Sequence, residues 1–287
     1  MKTILSLLLL AAAVSSCGGR GGKSAQTDFQ PTIDDGKMLL LTQQDLAAGP
    51  HHTQHEVIFS KYARGYNREV LAGVDKVQSS AMDGGGYFIG IKAQPTESPI
   101  GYDLALFDKP LLKAPRTTSY CSGSSYSAFI EGMNLIFPEK ERALDETHYE
   151  AMRMQEPDGG RREDWVKFWG LWNADGFGSN FALVQYSGMG KDVTPAEARP
   201  GDFMNISWKS GNGHSVVFLG WYQDPAGEKK VLYWASQGGT NGLGDQMSPI
   251  SKIQEVKIVR LTNPDAMMTF DPAKTVNKKV AGDQVGW

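Results

Sequence analysis

Cysteine is scarce in this chain: two in 287 residues, too few for a disulfide-built scaffold. Long basic runs are missing as well, and 29 basic against 32 acidic residues leave a formal charge of −3. Without the counterion-release term that drives most non-specific affinity, nucleic acid is not an expected partner. The 33 glycines follow no fixed period, which excludes a fibre or a repeat array. The apolar stretch Ile4 to Ala13 is too short to span a bilayer. What is present is 40% apolar and 21% charged residues, enough to bury one sizeable core and too apolar for a disordered tail.

The first sixteen residues read as a targeting segment. Lys2 supplies the positive start, Ile4 to Ala13 the apolar stretch, and Val14-Ser15-Ser16 the small residues before Cys17. A small-residue run ending in cysteine, then Gly18-Gly19, resembles a bacterial lipoprotein signal. That resemblance implies a lipid on Cys17, a membrane anchor and a place in the cell envelope. Residues 17–36 are glycine-rich and polar and suit a flexible tether. The expected folded body is a single domain over 37–265, followed by a loosely held tail, 266–287. With Cys17 lipidated, Cys121 is a lone cysteine, either a functional thiol or a small buried hydrophobe.

Val57, Tyr62, Val70, Leu71, Val74 and Val77 suit one or two amphipathic helices over 56–80, broken near Arg64-Gly65 and stopped by Asp83-Gly84-Gly85-Gly86. Tyr87–Ile91 and Tyr102–Phe107 look like paired strands joined by a proline-containing turn. Residues 140–190 are expected to be mostly helical, with Tyr149, Met152, Trp165, Phe168, Trp169 and Trp172 as a core stripe. Strands follow at Phe203–Trp208, His214–Trp221, Val231–Ala235 and Val256–Leu261. The sum is an α+β domain with a helix packed on an antiparallel meander.

Tyr126, Phe129, Ile130, Met133, Ile136 and Phe137 make one apolar face of a helix from about Cys121 to Ile136. Thr117, Thr118, Ser119 and Ser122 are capping residue types crowded at its start, so Cys121 falls in the first turn. Open amides and the helix dipole there favour an anion. Thiols in such places reach a pKa of roughly 3.5–7.5, so a thiolate is expected at neutral pH, with the same amides available to an oxyanion.

Of the five histidines, only His214 opens a strand, after the Gly211-Asn212-Gly213 turn. His51, His52 and His55 follow Gly49-Pro50 without acidic or cysteine companions at ligand spacing, so no metal site and no cofactor is expected. Asn173-Ala174-Asp175-Gly176-Phe177-Gly178 lacks the closing glutamate of a calcium loop and reads as a turn. The run Gly238-Gly239-Thr240-Asn241-Gly242-Leu243-Gly244 either borders a cleft or is a long turn.

Cys121-Ser122-Gly123 at a helix start, Pro200-Gly201-Asp202-Phe203 leading into a strand, and Gly213-His214-Ser215-Val216-Val217-Phe218-Leu219-Gly220 occur in this order. Over roughly residues 100–262 the chain resembles the NlpC-type cell-wall peptidases and the related CHAP amidases, within the papain-like superfamily. Tyr120 stands where aspartate is common in that family, and the 140–190 segment is an added helical insert. The resemblance implies Cys121 as nucleophile, His214 as base and a third polar residue within Tyr233–Gln237 to orient the imidazole. If the hairpin folds about Pro225-Ala226, Gln237 lies across from His214; Ser236 is the fallback. The implied function is a lipid-anchored thiol hydrolase cleaving an amide bond, with peptidoglycan peptides as the expected substrate. An acyltransferase using the same thioester, and a catalytically silent envelope-binding module, are the alternatives.

Overall fold

The computed structural model describes residues 36–87, 100, 102–112, 119–138, 144–154, 166–169, 179–277 and 280–286. The targeting segment, Cys17 and most of the tether lie outside them, as do residues 88–99, Thr117, Thr118, Trp165, Trp172 and 173–178. Among the described residues no helix is long and apolar enough to cross a membrane.

The helices are α1 (His55–Phe59), α2 (Asn67–Ser79), α3 (Cys121–Ile136), α4 (Glu146–Ala151) and α5 (Ala182–Gln185). The strands are β1 (Leu104–Leu106), β2 (Lys109–Leu112), β3 (Gly190–Val193), β4 (Phe203–Trp208), β5 (Gly213–Gln223), β6 (Lys229–Gln237), β7 (Gly242–Pro249) and β8 (Ile253–Leu261). Strands β3 to β8 form one antiparallel sheet in the order β3-β8-β4-β5-β6-β7. The fold is therefore α+β, with helices on an antiparallel sheet.

Strand alternation divides the core. Phe203, Val217, Leu219, Trp234 and Val259 face the helices and pack with Val70, Val74, Phe129, Ile130 and Trp169. Met204, Ile206, Val216, Phe218, Tyr233 and Val256 face the other way and form a second cluster with Val193, Ala198 and Trp221. Both faces of β5 are covered, so Ser215–Tyr222 are buried without a break.

The motif Pro200-Gly201-Asp202 is structural. Gly201 has φ +91°, and a Cβ on it would meet the Asn67 carbonyl at 2.6 Å. Asp202 accepts from Arg260 Nε and Nη2 (2.8 and 2.7 Å), Asn67 Nδ2 (2.7 Å) and the Arg199 amide (2.7 Å). This buried, fully paired carboxylate ties the start of α2 to β4 and β8.

Several elements differ from the sequence expectation. Strand β1 pairs with β2, because Phe107 and Asp108 both take positive φ (51° and 66°) and close a two-residue turn; the expected partner, 87–91, lies, but for Tyr87, outside the described residues. Asn134 of α3 secures that turn through the Phe107 amide (3.0 Å) and the Ala105 carbonyl (2.9 Å). Within 140–190 the described residues hold only the short α4 and α5 and the start of β3, although Tyr149, Met152, Phe168 and Trp169 are core as expected. Where it is described, the 266–287 segment is packed on the domain: Met267 and Phe270 are buried, and Asp283 exchanges backbone hydrogen bonds with Val256 (2.9 and 2.7 Å).

Helix α3 has the expected bounds but is buried on every side from Ser122 to Met133. It crosses α2 at two glycines. A Cβ on Gly73 would stand 2.5 Å from the Ala128 carbonyl oxygen and 2.9 Å from the Gly132 nitrogen. Gly73→Ala gains about 1 kcal/mol of helix propensity, and this contact outweighs it. The expected outcome is a net loss of about 1–3 kcal/mol, read as a lower urea midpoint with unchanged slope; a raised midpoint would refute the close crossing.

Candidate active site

Cys121 is the first residue of α3. Its N-cap, Tyr120, is extended and offers no side-chain cap. Ser119, expected as a capping type, instead donates to Ser236 Oγ (2.6 Å). The backbone N–H groups of Ser215, Ser122 and Cys121 itself lie near enough to the sulfur to favour its anion. Burial pushes the thiol above its ordinary value, and these amides offset only part of the rise. The direction runs against the expected neutral-pH thiolate: at this half-buried residue, desolvation of the anion outweighs what the nearby amides return.

His214 begins β5 beside Gly213, and its ring turns to the pleat face opposite α3, edge-on to Tyr233 at 5.4 Å. Its Nε2–H donates to Gln237 Oε1 at 3.2 Å. Burial lowers its pKa to about 4, against a smaller opposite effect of the Gln237 bond, so the imidazole is neutral. The β5–β6 register, Val217 opposite Trp234, carries Gln237 to His214's position on the same face. Gln237 is itself fixed: its Nε2 donates to Thr240 Oγ1 (2.6 Å) and to the Gly244 carbonyl (2.9 Å), which turns Oε1 toward the ring.

Ser236, the fallback third residue, is on the wrong face. Strand alternation turns it to α3, where its hydroxyl accepts from Ser119 and its amide donates to Ser124 Oγ (3.0 Å). It joins β6 to the start of α3 and does not touch His214. Thus Gln237 and His214 meet directly, and Cys121 meets β5 at Ser215, one residue beyond His214.

A cleft of about 350 Å³ opens beside the imidazole, lined among others by Tyr87, Trp208, Asn212, Tyr233, Gln246 and Lys252. Tyr87 had no signal as a site residue in the sequence. It reaches this cleft because it bridges to Ser119, two residues before Cys121. Its side chain is partly open (37% exposed), and burial, then the nearby Cys121, raises its hydroxyl pKa. The run from Gly238 to Gly244 forms a short 3-10 turn leading into β7, borders a neighbouring cavity of about 540 Å³ and supplies the acceptors that hold Gln237.

The N-terminal histidines have partners that their local spacing could not reveal. His51 Nε2 donates to the Thr240 carbonyl (2.9 Å). His52 Nδ1 accepts from the Gln54 amide (3.1 Å), so its proton sits on Nε2 and goes to Asp245 Oδ2 (3.0 Å). His55, fully buried, donates from Nδ1 to Asp75 (2.6 Å) and from Nε2 to Asp245 (2.9 Å). Burial alone would discharge His55, but the carboxylates of Asp245 and Asp75 prevail and push it up to about 9. His52, His55 and Asp245 lie within metal-ligand distance of one another. As they stand, these ring nitrogens are engaged by the Gln54 amide and by the carboxylates of Asp75 and Asp245, which makes the set an ion-pair network.

His55 sets a pH window for stability. Its folded pKa lies above the unfolded value of about 6.5, so its contribution is full below that value and is lost as pH rises through about 9. Unfolding free energy measured by denaturant should fall by a few kcal/mol across this window. In Asp245→Asn the slope should be much reduced; an identical slope would remove His55 as its source.

Comparison of the chain with protein-family models, with curated proteins and with solved structures finds no match. The structure establishes the antiparallel α+β architecture.

Proposed function

We propose that this chain is a cysteine hydrolase of the papain-like, NlpC-type kind that cleaves an amide bond, with peptidoglycan peptides as substrate and the lipid of Cys17 as its tether to the envelope. One observation carries the proposal: Cys121 opens a helix near the Ser215 amide, one residue along β5 from a His214 held by Gln237. A thiol, an imidazole and an orienting amide are the three parts of a thiol acyl-transfer site.

The chemistry follows from the protonation states. His214 spends Nε2–H on Gln237, leaving Nδ1 with the lone pair that can take a proton. Because His214 faces away from α3, the proposed reaction requires the Cys121 proton to travel round the start of β5, where Tyr233, edge-on to the His214 ring at 5.4 Å, also feels the charge of Cys121. As the sulfur adds to the substrate carbonyl, that proton goes to His214 Nδ1, and the first-turn amides of α3 steady the oxyanion. The C–N bond then breaks, the proton goes to the departing amine, and a thioester remains on Cys121. Water, deprotonated by the same nitrogen, releases the acid and restores the thiol. An amine entering in place of water makes the same site an acyltransferase.

A binding module without turnover is the second reading. It is favoured by the raised thiol, on which backbone amides act and the imidazole does not. Digestion of purified peptidoglycan, followed by mass spectrometry, separates the two. Wild type should release new fragments, and Cys121→Ala should lose at least about 10³-fold of that rate. Identical fragment patterns from both proteins would end the hydrolase proposal. Iodoacetamide should label Cys121 slowly at pH 7 and faster only above the ordinary thiol range, about pH 8.5; rapid labelling at pH 6 would overturn the neutral resting state.

A further inference from the structure

We propose that residues 50–55 are a positioning clamp for the site, holding the 240–245 segment so that the Gln237 amide keeps Oε1 on His214. This rests on the role given to His214 and Gln237 above.

The clamp is continuous in hydrogen bonds. Gln237 Nε2 has two acceptors, Thr240 Oγ1 and the Gly244 carbonyl. Each acceptor residue is gripped from the N-terminal segment. Thr240 accepts at its carbonyl from His51 Nε2 (2.9 Å). Gly244 is followed by Asp245, whose amide donates to the Pro50 carbonyl (2.7 Å) and whose carboxylate takes His52 and His55. A Cβ on Gly244 would meet the Pro50 carbonyl at 2.8 Å and the His51 ring at 2.9 Å, so the two segments are in backbone contact.

Behind His55 stands Asp75 of α2, which also accepts the amides of His55 (2.8 Å) and Glu56 (2.9 Å), the first residues of α1. The His52 ring stacks on His55 at 4.1 Å, and Phe59 closes the remaining side. Glu56, the next charged residue, is turned away to Arg68 (2.6 Å). The network therefore fastens β7 to α1 and α2 through two carboxylates and the imidazoles of His52 and His55, while His51 holds the Thr240 turn before it. An amide side chain can rotate to exchange its oxygen and nitrogen, and with both acceptors displaced no other hydrogen bond to the Gln237 amide among the described residues fixes which end faces His214.

The test uses the full chain labelled with ¹⁵N-histidine, in which ring-nitrogen shifts report the His214 tautomer without any substrate. The His214 signal is assigned from its loss in His214→Gln. Wild type should show the Nε2–H tautomer. Asp245→Asn, nearly isosteric, should give a mixed tautomer while its circular dichroism stays native. His51→Ala, which removes one bond to Thr240, should do the same to a lesser degree and serves if Asp245→Asn does not fold. In a Gln237→Ala background neither change should alter His214 further. A wild-type tautomer in both folded variants, or equal effects with and without Gln237, would overturn the clamp. With a substrate in hand, kcat should drop about tenfold at little cost in KM. Because the tautomer is read in the absence of turnover, failure of the clamp and failure of the hydrolase proposal register in different measurements.

Discussion

The close approach of the first half of α3 to β5 and β6 governs everything at the site. A helix buried on all sides cannot reach a sheet this nearly with large side chains, and Ser122-Gly123-Ser124-Ser125 are small. Small polar residues bring hydroxyls into the core that need partners, and Ser124 and Ser125 find them where Ser122 Oγ does not. Ser124 and Ser125 donate back to the carbonyls of Cys121 (2.8 Å) and Ser122 (3.1 Å). They then serve the sheet: Ser124 accepts the Ser236 amide, while Ser125 meets Ser215 (2.9 Å) and accepts from Trp169 Nε1 (3.2 Å). These bonds fix the helix against residues 215 and 236, and the thiol at its first residue is carried with them to the Ser215 amide. A bulkier residue at 124 or 125 separates the layers and moves the sulfur.

What local patterning controls was legible. The apolar positions from Tyr126 to Phe137 placed α3 to the residue, and the runs beginning at Phe203, His214 and Val231 placed three of the central strands. Pairing of Gln237 with His214 followed from hairpin counting. The same count, continued by one residue, excludes Ser236: partners across an antiparallel ladder share a face, so the neighbour of Gln237 points to the helix. Strand β7 was missed because Gly242-Leu243-Gly244-Asp245 has little strand character of its own. It is held by its register with β6 and by the loops packed on it.

Other features depend on distance in sequence that no local pattern carries. His55 and Asp245 are 190 residues apart, and His52 and Asp245 are 193 apart. The triplet of histidines therefore looked unaccompanied until the fold delivered the carboxylates. The thiol was misjudged for a related reason. Position at a helix N-terminus is visible in the sequence, but burial is a tertiary property, and here burial decides the sign.

The two buried histidines explain why an amide, and not a carboxylate, faces His214. Both rings are removed from water, which penalises the imidazolium in each. His55 is given two carboxylates and stays charged to about pH 9, while His214 is given a neutral amide and titrates near 4. Had residue 237 carried a negative charge, the attraction that holds His55 protonated would act on His214 as well, filling the nitrogen that the proposed chemistry needs empty. Glutamine supplies direction without charge: it accepts the Nε2 proton, fixes the tautomer and leaves Nδ1 basic. The charge is kept one shell away, in Asp245 and Asp75, where it strengthens the support of the loop without reaching the ring. An orienting residue of this type also makes its own orientation critical, since an amide turned over presents a donor to Nε2 and favours the opposite tautomer. That requirement is met by Thr240 and Gly244, and it accounts for why so much buried polar chemistry is concentrated on the few residues that follow Gln237.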